Sequence, residues 1–210
     1  MAERKGFLLV SMDPPPLIEE EYNDWYDTEH IPGRAGIEGF ESARRFVCVN
    51  GWPKYLSLYD LAGIDVLESE PYKKASWGGF SAWTKRMLPK MRGQYRASGE
   101  QIYPGDALTG TMTRMVLLRF SGVPDHLCAA IRDGLLGNYA KRAETRQMRL
   151  LRSDYNQQID YIALVEASAP YATPALDVTL FGDAAPFIDL VNEYVPYWTR
   201  GPLAGVFGAS

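Results

Sequence analysis

The chain has few of the side chains that most often carry catalysis. Its 210 residues include two cysteines, Cys48 and Cys128, and two histidines, His30 and His126. A tetrahedral zinc site needs about four Cys or His ligands in one place. These four residues are scattered along the chain, so no metal site is expected. The cysteines read as small buried hydrophobes of a reducing compartment and not as a disulfide pair. No apolar run approaches the roughly 18 residues of a membrane span. The run 7–10 is too short for a signal-peptide core, so a cytoplasmic location is expected. Lys and Arg number 22 against 26 Asp and Glu, for a net charge of -4. No basic stretch is interleaved with aromatics, which excludes an extended nucleic-acid face. A Gly-rich phosphate loop, a Gly-x-Ser-x-Gly elbow and a His-Glu-x-x-His helix are all missing. No cofactor is therefore expected.

The composition, 46% hydrophobic and 23% charged, is that of a globular protein. It suits one large domain or two small ones. The chain reads as one pattern used twice. A strand at 7–12 precedes a helix at 17–31, which Pro32 and Gly33 close. Glu19, Glu20 and Glu21 sit in its first turns, at the positive end of the helix dipole. Strands at 40–49 and 55–61 flank an Asn50-Gly51 turn, a hairpin signal. A helical region from about 65 breaks near Pro71 and Gly78-Gly79 and resumes to 91. A strand at 94–103 completes a β-α-β-β-α-β unit. The second half repeats this with strands at 114–120, 144–153 and 158–167, helices at 124–140 and 183–198, and a last strand at 202–207. The expected fold class is α+β: tandem ferredoxin-like units over 1–105 and 106–210. Their bare sheet faces would cover each other in a pseudo-dimeric barrel.

Alternation along the strands sorts the side chains. Leu8, Val10 and Met12, with Leu56, Leu58 and Leu61 and with Ala43, Val47 and Val49, suit the face under the helices. Phe7, Leu9 and Ser11, then Ser42, Arg44 and Phe46, then Tyr55, Ser57 and Tyr59, with Tyr95 or Arg96, form the opposite face. That face is aromatic with a few hydroxyls and a cation, the make-up of a small-molecule pocket. It reads equally as a seam between half-domains. A slip of one residue exchanges the faces, and Arg44-Arg45 is sensitive to it.

The first helix carries the candidate site. Tyr22, Tyr26 and His30 are four apart and stack on one face, with Trp25 and Glu29 beside them. Asp27 is three residues before His30, and a carboxylate near an imidazole raises its pKa and sets its tautomer. His30 is thus the candidate general base or acid, with Asp27 or Glu29 orienting it. The bland alternative is a helix-terminal histidine on the dipole. His126 reads as a surface residue near a helix start. The aromatic stretch 76–84 reads as a lid or as a kinked packing helix.

The run Glu21-Tyr22-Asn23-Asp24-Trp25-Tyr26-Asp27-Thr28-Glu29-His30-Ile31-Pro32, followed by Gly39-Phe40-Glu41-Ser42-Ala43-Arg44-Arg45-Phe46, resembles the dimeric α+β barrel superfamily, nearest to its EthD-like group. Tyr55 to Leu61 and Arg92 to Arg96 fit the same pattern. The resemblance is close over the first half and architectural over the second. It implies a ligand held in the barrel interior between two ferredoxin-like units, and only His30 matches a recurrent functional residue. It also implies diverse chemistry: cofactor-free monooxygenases, cyclases, dehydratases, lactone isomerases and haem proteins. Haem-binding members use a second-half histidine for which this chain offers no counterpart.

The leading expectation is a cofactor-independent isomerase, cyclase, dehydratase or lyase acting on a small aromatic or polyketide-like molecule. His30 would move the proton with Asp27 or Glu29 orienting it, Arg44 would steady an enolate or carboxylate, and Trp25, Tyr26, Tyr55, Tyr59 and Tyr95 would shape the cavity. A cofactor-free monooxygenase and a non-catalytic binding protein are the alternatives. The expected partner is a small molecule, and a homodimer is compatible with the pattern.

Overall fold

A computed structural model of the chain describes residues 4–155, 157–171 and 176–198. The architecture is built on eight strands: β1 (Gly6–Asp13), β2 (Phe40–Asn50), β3 (Tyr55–Leu61), β4 (Arg92–Tyr103), β5 (Arg114–Phe120), β6 (Thr145–Ser153), β7 (Asp160–Ala167) and β8 (Ile188–Pro196). They close into one antiparallel barrel in the order β1-β3-β2-β8-β5-β7-β6-β4. Closure leaves no unpaired edge. The helices are α1 (Glu19–Trp25), α2 (Ile31–Ala35), α3 (Glu70–Lys74), α4 (Ala82–Met87) and α5 (Cys128–Tyr139), with short 3-10 turns between them.

The barrel interior is a packed core. Phe7, Leu9, Phe46, Leu56, Leu58, Met115, Leu117, Leu151, Ile162 and Leu164 fill it. The void left among them is about 10 Å³, room for one water at most. The expected ligand chamber between the two halves is therefore absent from the barrel centre. One end of the interior is sealed by charge. Arg149 pairs with Asp60 at 2.7 Å and Glu166 at 3.0 Å, all three being buried. The linker between the halves joins this cluster: the Thr109 N–H donates to Asp60 and the Gly110 N–H to Glu166. Burial alone would raise the Asp60 carboxyl, but the Arg149 charge and hydrogen bonds from Ser42 and Thr109 hold it below its ordinary value.

Outside the barrel lie two further cores. One joins Leu8, Met12, Ala43, Tyr55, Tyr59 and Leu61 to Tyr22, Trp25, Tyr26 and Ile31 of the first helical segment. The other packs Ile131, Leu135 and Tyr139 of α5 and Phe181 on Leu118, Phe120, Leu150 and Ala163. β1 presents the faces expected of it, and so does β2 except at Val49, which is exposed. β3 is reversed except at Leu61, which faces the helices as expected: Tyr55 and Tyr59 also face the helices, while Leu56 and Leu58 point into the barrel. Every residue of β3 is buried, so no polar alternation marked its outer side. Register decides instead, pairing Ala43 with Tyr59 and Phe46 with Leu56.

Two helix assignments also change. The first helix does not end at Pro32. Residues Tyr26–His30 form a π turn, in which the Ile31 N–H reaches the Tyr26 carbonyl, and α2 then runs through Pro32 to Ala35. The wider turn absorbs a proline that has no N–H to give and crowds the carbonyl four residues back. The segment expected as a helix over 183–198 is a 3-10 turn over Val178–Phe187 followed by strand β8. Ile188, Val191 and Val195 suit a helical stripe, but the same segment also alternates. β2 and β5 each lack a partner on one side, and β8 pairs with both. The strand expected at 202–207 lies outside the described residues.

Candidate active site

A cavity of about 310 Å³ lies on the outer face of the first-half strands, under the first helical segment and the 76–88 stretch. Leu8, Val10 and Met12 of β1 form its floor. Tyr26, His30, Arg34, Tyr59, Tyr72, Ser76, Phe80 and Arg96 are among its walls, and Tyr155 reaches it from the β6–β7 turn.

The π turn sets the position of His30. Its one-residue excess brings residues five apart into register. The His30 ring rests 4.7 Å from that of Trp25 and 4.9 Å from that of Tyr26. Trp25 is fixed in turn, its indole N–H donating to Thr84 Oγ1 at 3.0 Å and Glu29 Oε1 at 3.2 Å. Neither nitrogen of His30 has a hydrogen-bond partner among the described residues. Burial, and then the charges of Arg34 and Arg45, push its pKa from 6.5 down to about 3. The imidazole is therefore neutral near pH 7.

Asp27 does not turn to His30. Its Oδ1 accepts from Arg45 Nη1 at 2.5 Å. Arg45 also donates to Asn23 Oδ1 at 2.7 Å and lies over the rings of Tyr26 (4.5 Å) and Tyr197 (4.3 Å). Glu29 accepts from Trp25, Thr84 and Ser81. Arg44 is on the other side of β2, opposite Leu58 in register and within the fields of Asp60, Glu166 and Arg149. The expected enolate-steadying role of Arg44 fails on geometry, because its side chain belongs to the sealed barrel end.

Of the expected aromatic residues, Tyr26, Tyr59 and Tyr95 border the cavity. The Tyr95 hydroxyl runs the other way, donating to Asp160 Oδ2 at 2.8 Å. Trp25 supports His30 from behind, and Tyr55 hydrogen-bonds Glu19 and Asn23 away from the cavity. Tyr26 is buried, which raises its pKa, and it hydrogen-bonds Ser57. Tyr59 is raised well above its usual value, chiefly by burial. Its hydroxyl has no partner among the described residues.

Arg34, Tyr72 and Tyr155 were not anticipated. Arg34 is four residues after His30, so it shares a helix face with it. Ending the helix at Pro32 concealed that spacing. Arg34 is 5% exposed, and its Nη1 donates to Ser76 Oγ at 2.8 Å while its guanidinium stacks over Tyr72 at 4.6 Å. Arg96 donates to Tyr72 Oη and lies over Tyr155 at 4.1 Å. Ser76 is held by the Trp77–Gly79 turn, where a Cβ on Gly79 would stand 1.7 Å from the Lys74 carbonyl.

A closed eight-stranded antiparallel barrel with helices packed outside it is the dimeric α+β barrel fold. Solved structures share it across the chain. An anthrone oxidase-like protein superposes with a TM-score of 0.69 at 14% identity, covering 94% of this chain and 93% of its own. A Lactobacillus acidophilus protein to which monooxygenase activity has been ascribed gives 0.54 at 11% identity (92% and 94% covered). A haem-binding protein from Thermus thermophilus gives 0.54 at 11% identity (92% and 91% covered). Likeness at these identities carries the fold alone. No protein-family model and no curated protein matches the chain.

The haem-binding neighbour raises the question of a porphyrin site. His126 is exposed and lines none of the cavities described here. His30 packs at an angle against two rings beside two arginines, and the cavity it lines, about 310 Å³, is too small for a porphyrin. The residues do not fit haem. No cluster of three or more potential metal ligands occurs among the described residues.

Proposed function

We propose that the chain is an enzyme that removes a proton from a small, planar aromatic carbon acid or phenol, with His30 as the general base. The observation that carries this reading is a neutral imidazole, with both nitrogens unpartnered among the described residues, on the wall of an aromatic cavity. The nearby arginines penalise an imidazolium in the empty site. A neutral substrate that gives its proton to His30 leaves an enolate or phenolate beside the same arginines. The charge that penalised the base then stabilises its product. Proton transfer is therefore coupled to a bound, ionisable substrate, and His30 is weakly basic without one.

Isomerisation, cyclisation or elimination follows if the carbanion is reprotonated or expels a group. The same carbanion reacting with dioxygen would make the enzyme a cofactor-free oxygenase. In this reading residues 1–105 and 106–210 are tandem ferredoxin-like units. The strand orders β4-β1-β3-β2 and β8-β5-β7-β6 support that reading. The EthD-like affinity rests on the first-helix run alone.

Hydrogen–deuterium exchange at the methylene of anthrone tests the chemistry without presupposing the product. Wild type should accelerate exchange in D2O, and His30→Gln should lose about 10²-fold or more of that acceleration. Exchange within a few-fold of wild type in His30→Gln would remove His30 from the role. Oxygen uptake in the same assay would assign the carbanion's fate to dioxygen.

A further inference from the structure

We propose that Arg34 and Tyr59 form an oxyanion-recognition subsite in this cavity, and that its natural ligand is a planar aromatic bearing an anionic oxygen. The inference rests on the proposed use of the cavity by a small aromatic but not on the chemistry assigned to His30.

Four observations converge. First, the cavity lining contains Arg34 and Arg96 and no carboxylate. Second, Arg34 is 5% exposed, yet among the described residues it meets a serine hydroxyl and a tyrosine ring. No acidic group pairs with it among the described residues. Buried charges are ordinarily paired. Arg45 and Arg149, the other fully buried arginines, follow that rule with Asp27 and with Asp60 and Glu166. Third, Tyr59 lines the same cavity, and its buried hydroxyl has no partner among the described residues. Buried hydroxyls are ordinarily hydrogen-bonded. Fourth, much of the remaining lining is apolar or aromatic: Leu8, Val10, Met12, Tyr26, Phe80 and Leu88. A guanidinium with spare N–H groups and an idle phenol O–H, set over an apolar floor, complement an aromatic ring with an oxygen anion at its edge.

Ser76 and Tyr72 hold Arg34 in place. The Ser76 hydroxyl takes one N–H and Tyr72 covers one face of the guanidinium, so its remaining N–H groups are pre-aimed. Arg96, already engaged with Ser98, Tyr72 and Tyr155, adds a second positive charge to the lining. A carboxylate, a phenolate or an enolate would each satisfy the subsite.

The test compares binding of 2-naphthoate, a naphtholate and neutral 2-naphthamide to the full chain by calorimetry. Wild type should prefer an anion over the amide by tenfold or more. A stronger response to the naphthoate would assign the ligand to carboxylates, and to the naphtholate, to phenolates or enolates. Arg34→Met should abolish that preference while leaving amide affinity within about twofold. Arg34→Lys, which keeps the charge, should retain part of it, and serves as the readout if Arg34→Met does not fold. Tyr59→Phe should weaken anion binding several-fold while leaving thermal stability equal or higher, since it removes a buried unsatisfied hydroxyl. Equal affinity for anions and amide in wild type, or unchanged preference in both Arg34→Lys and Tyr59→Phe, overturns the proposal. His30→Gln should keep the anion preference, so loss of exchange in that variant with binding intact separates the base assignment from this one.

Discussion

His30 and Asp27 are three residues apart on one helical segment, yet they serve different partners. Asp27 is committed to Arg45, and His30 lines the cavity with neither nitrogen partnered among the described residues. Burial, together with the positive charges of Arg34 and Arg45, makes His30 an acid-sensitive element. Its pKa is lowered from 6.5 in the unfolded chain to about 3 in the folded one. As pH falls, the unfolded chain takes up this proton first, so the stability contribution is complete above pH 6.5 and is lost between there and about 3. Urea midpoints for wild type should therefore drop between pH 7 and pH 5 more than those of His30→Gln, and parallel curves would show that the imidazole does not titrate this way. Arg45 is the other residue of consequence. It is buried among aromatic rings and holds Asp27 and Asn23. Arg45→Met should destabilise the fold by about 3 kcal/mol or more at neutral pH, because it leaves Asp27 without its partner.

Among the elements, the stretch between β3 and β4 closes the cavity with short helical pieces and few residues per turn. Ser81 caps α4, accepting from the Thr84 N–H at 2.9 Å, and also donates to Glu29 at 2.5 Å. Ser81→Ala should cost about 1 kcal/mol through the cap. By releasing Glu29 it should also loosen the Thr84–Trp25 support behind His30, seen as faster amide exchange over 76–88. Gly79→Ala would drive a Cβ against the Lys74 carbonyl. It should shift the Ser76 turn and weaken ligand binding more than it lowers the melting temperature. The π turn is the element that sequence spacing could not reveal. A proline after an amphipathic helix is ordinarily a stop signal, and only the packing of Ile31 and Arg34 against the sheet shows that the chain continues helically.

For the whole molecule, the barrel is held shut by apolar packing in its middle and by charge at one end. Arg149 links β6 to Asp60 of β3 and Glu166 of β7. Arg149→Met should lose roughly 3–5 kcal/mol in urea unfolding at pH 7, since two buried carboxylates lose their counterion. Adding Asp60→Leu and Glu166→Leu should recover much of that loss. The Asp60 contribution has its own pH window. Its folded pKa lies below 3.8, so the contribution is present above that value and disappears as pH falls through the folded pKa. Acid unfolding should thus show an early His30 phase and a later carboxylate phase.

The order of strands and helices through residue 167 was legible in the sequence, because alternation, Asn-Gly turns and caps act over a few neighbouring residues. So was the placing of Tyr26 beside His30, four residues on. Three matters lay beyond local information. Residues 188–196 fit both a helical stripe and a strand, and two vacant strand edges chose the strand. The faces of β3 were hidden because both are buried, and the register with β1 and β2 chose them. That choice moved Tyr59 under the helices, into the cavity that His30 and Arg34 line. Side-chain identity and short-range spacing determined which chemistry this chain can assemble. Strand register and barrel closure, which depend on contacts between residues far apart in sequence, decided where it is assembled.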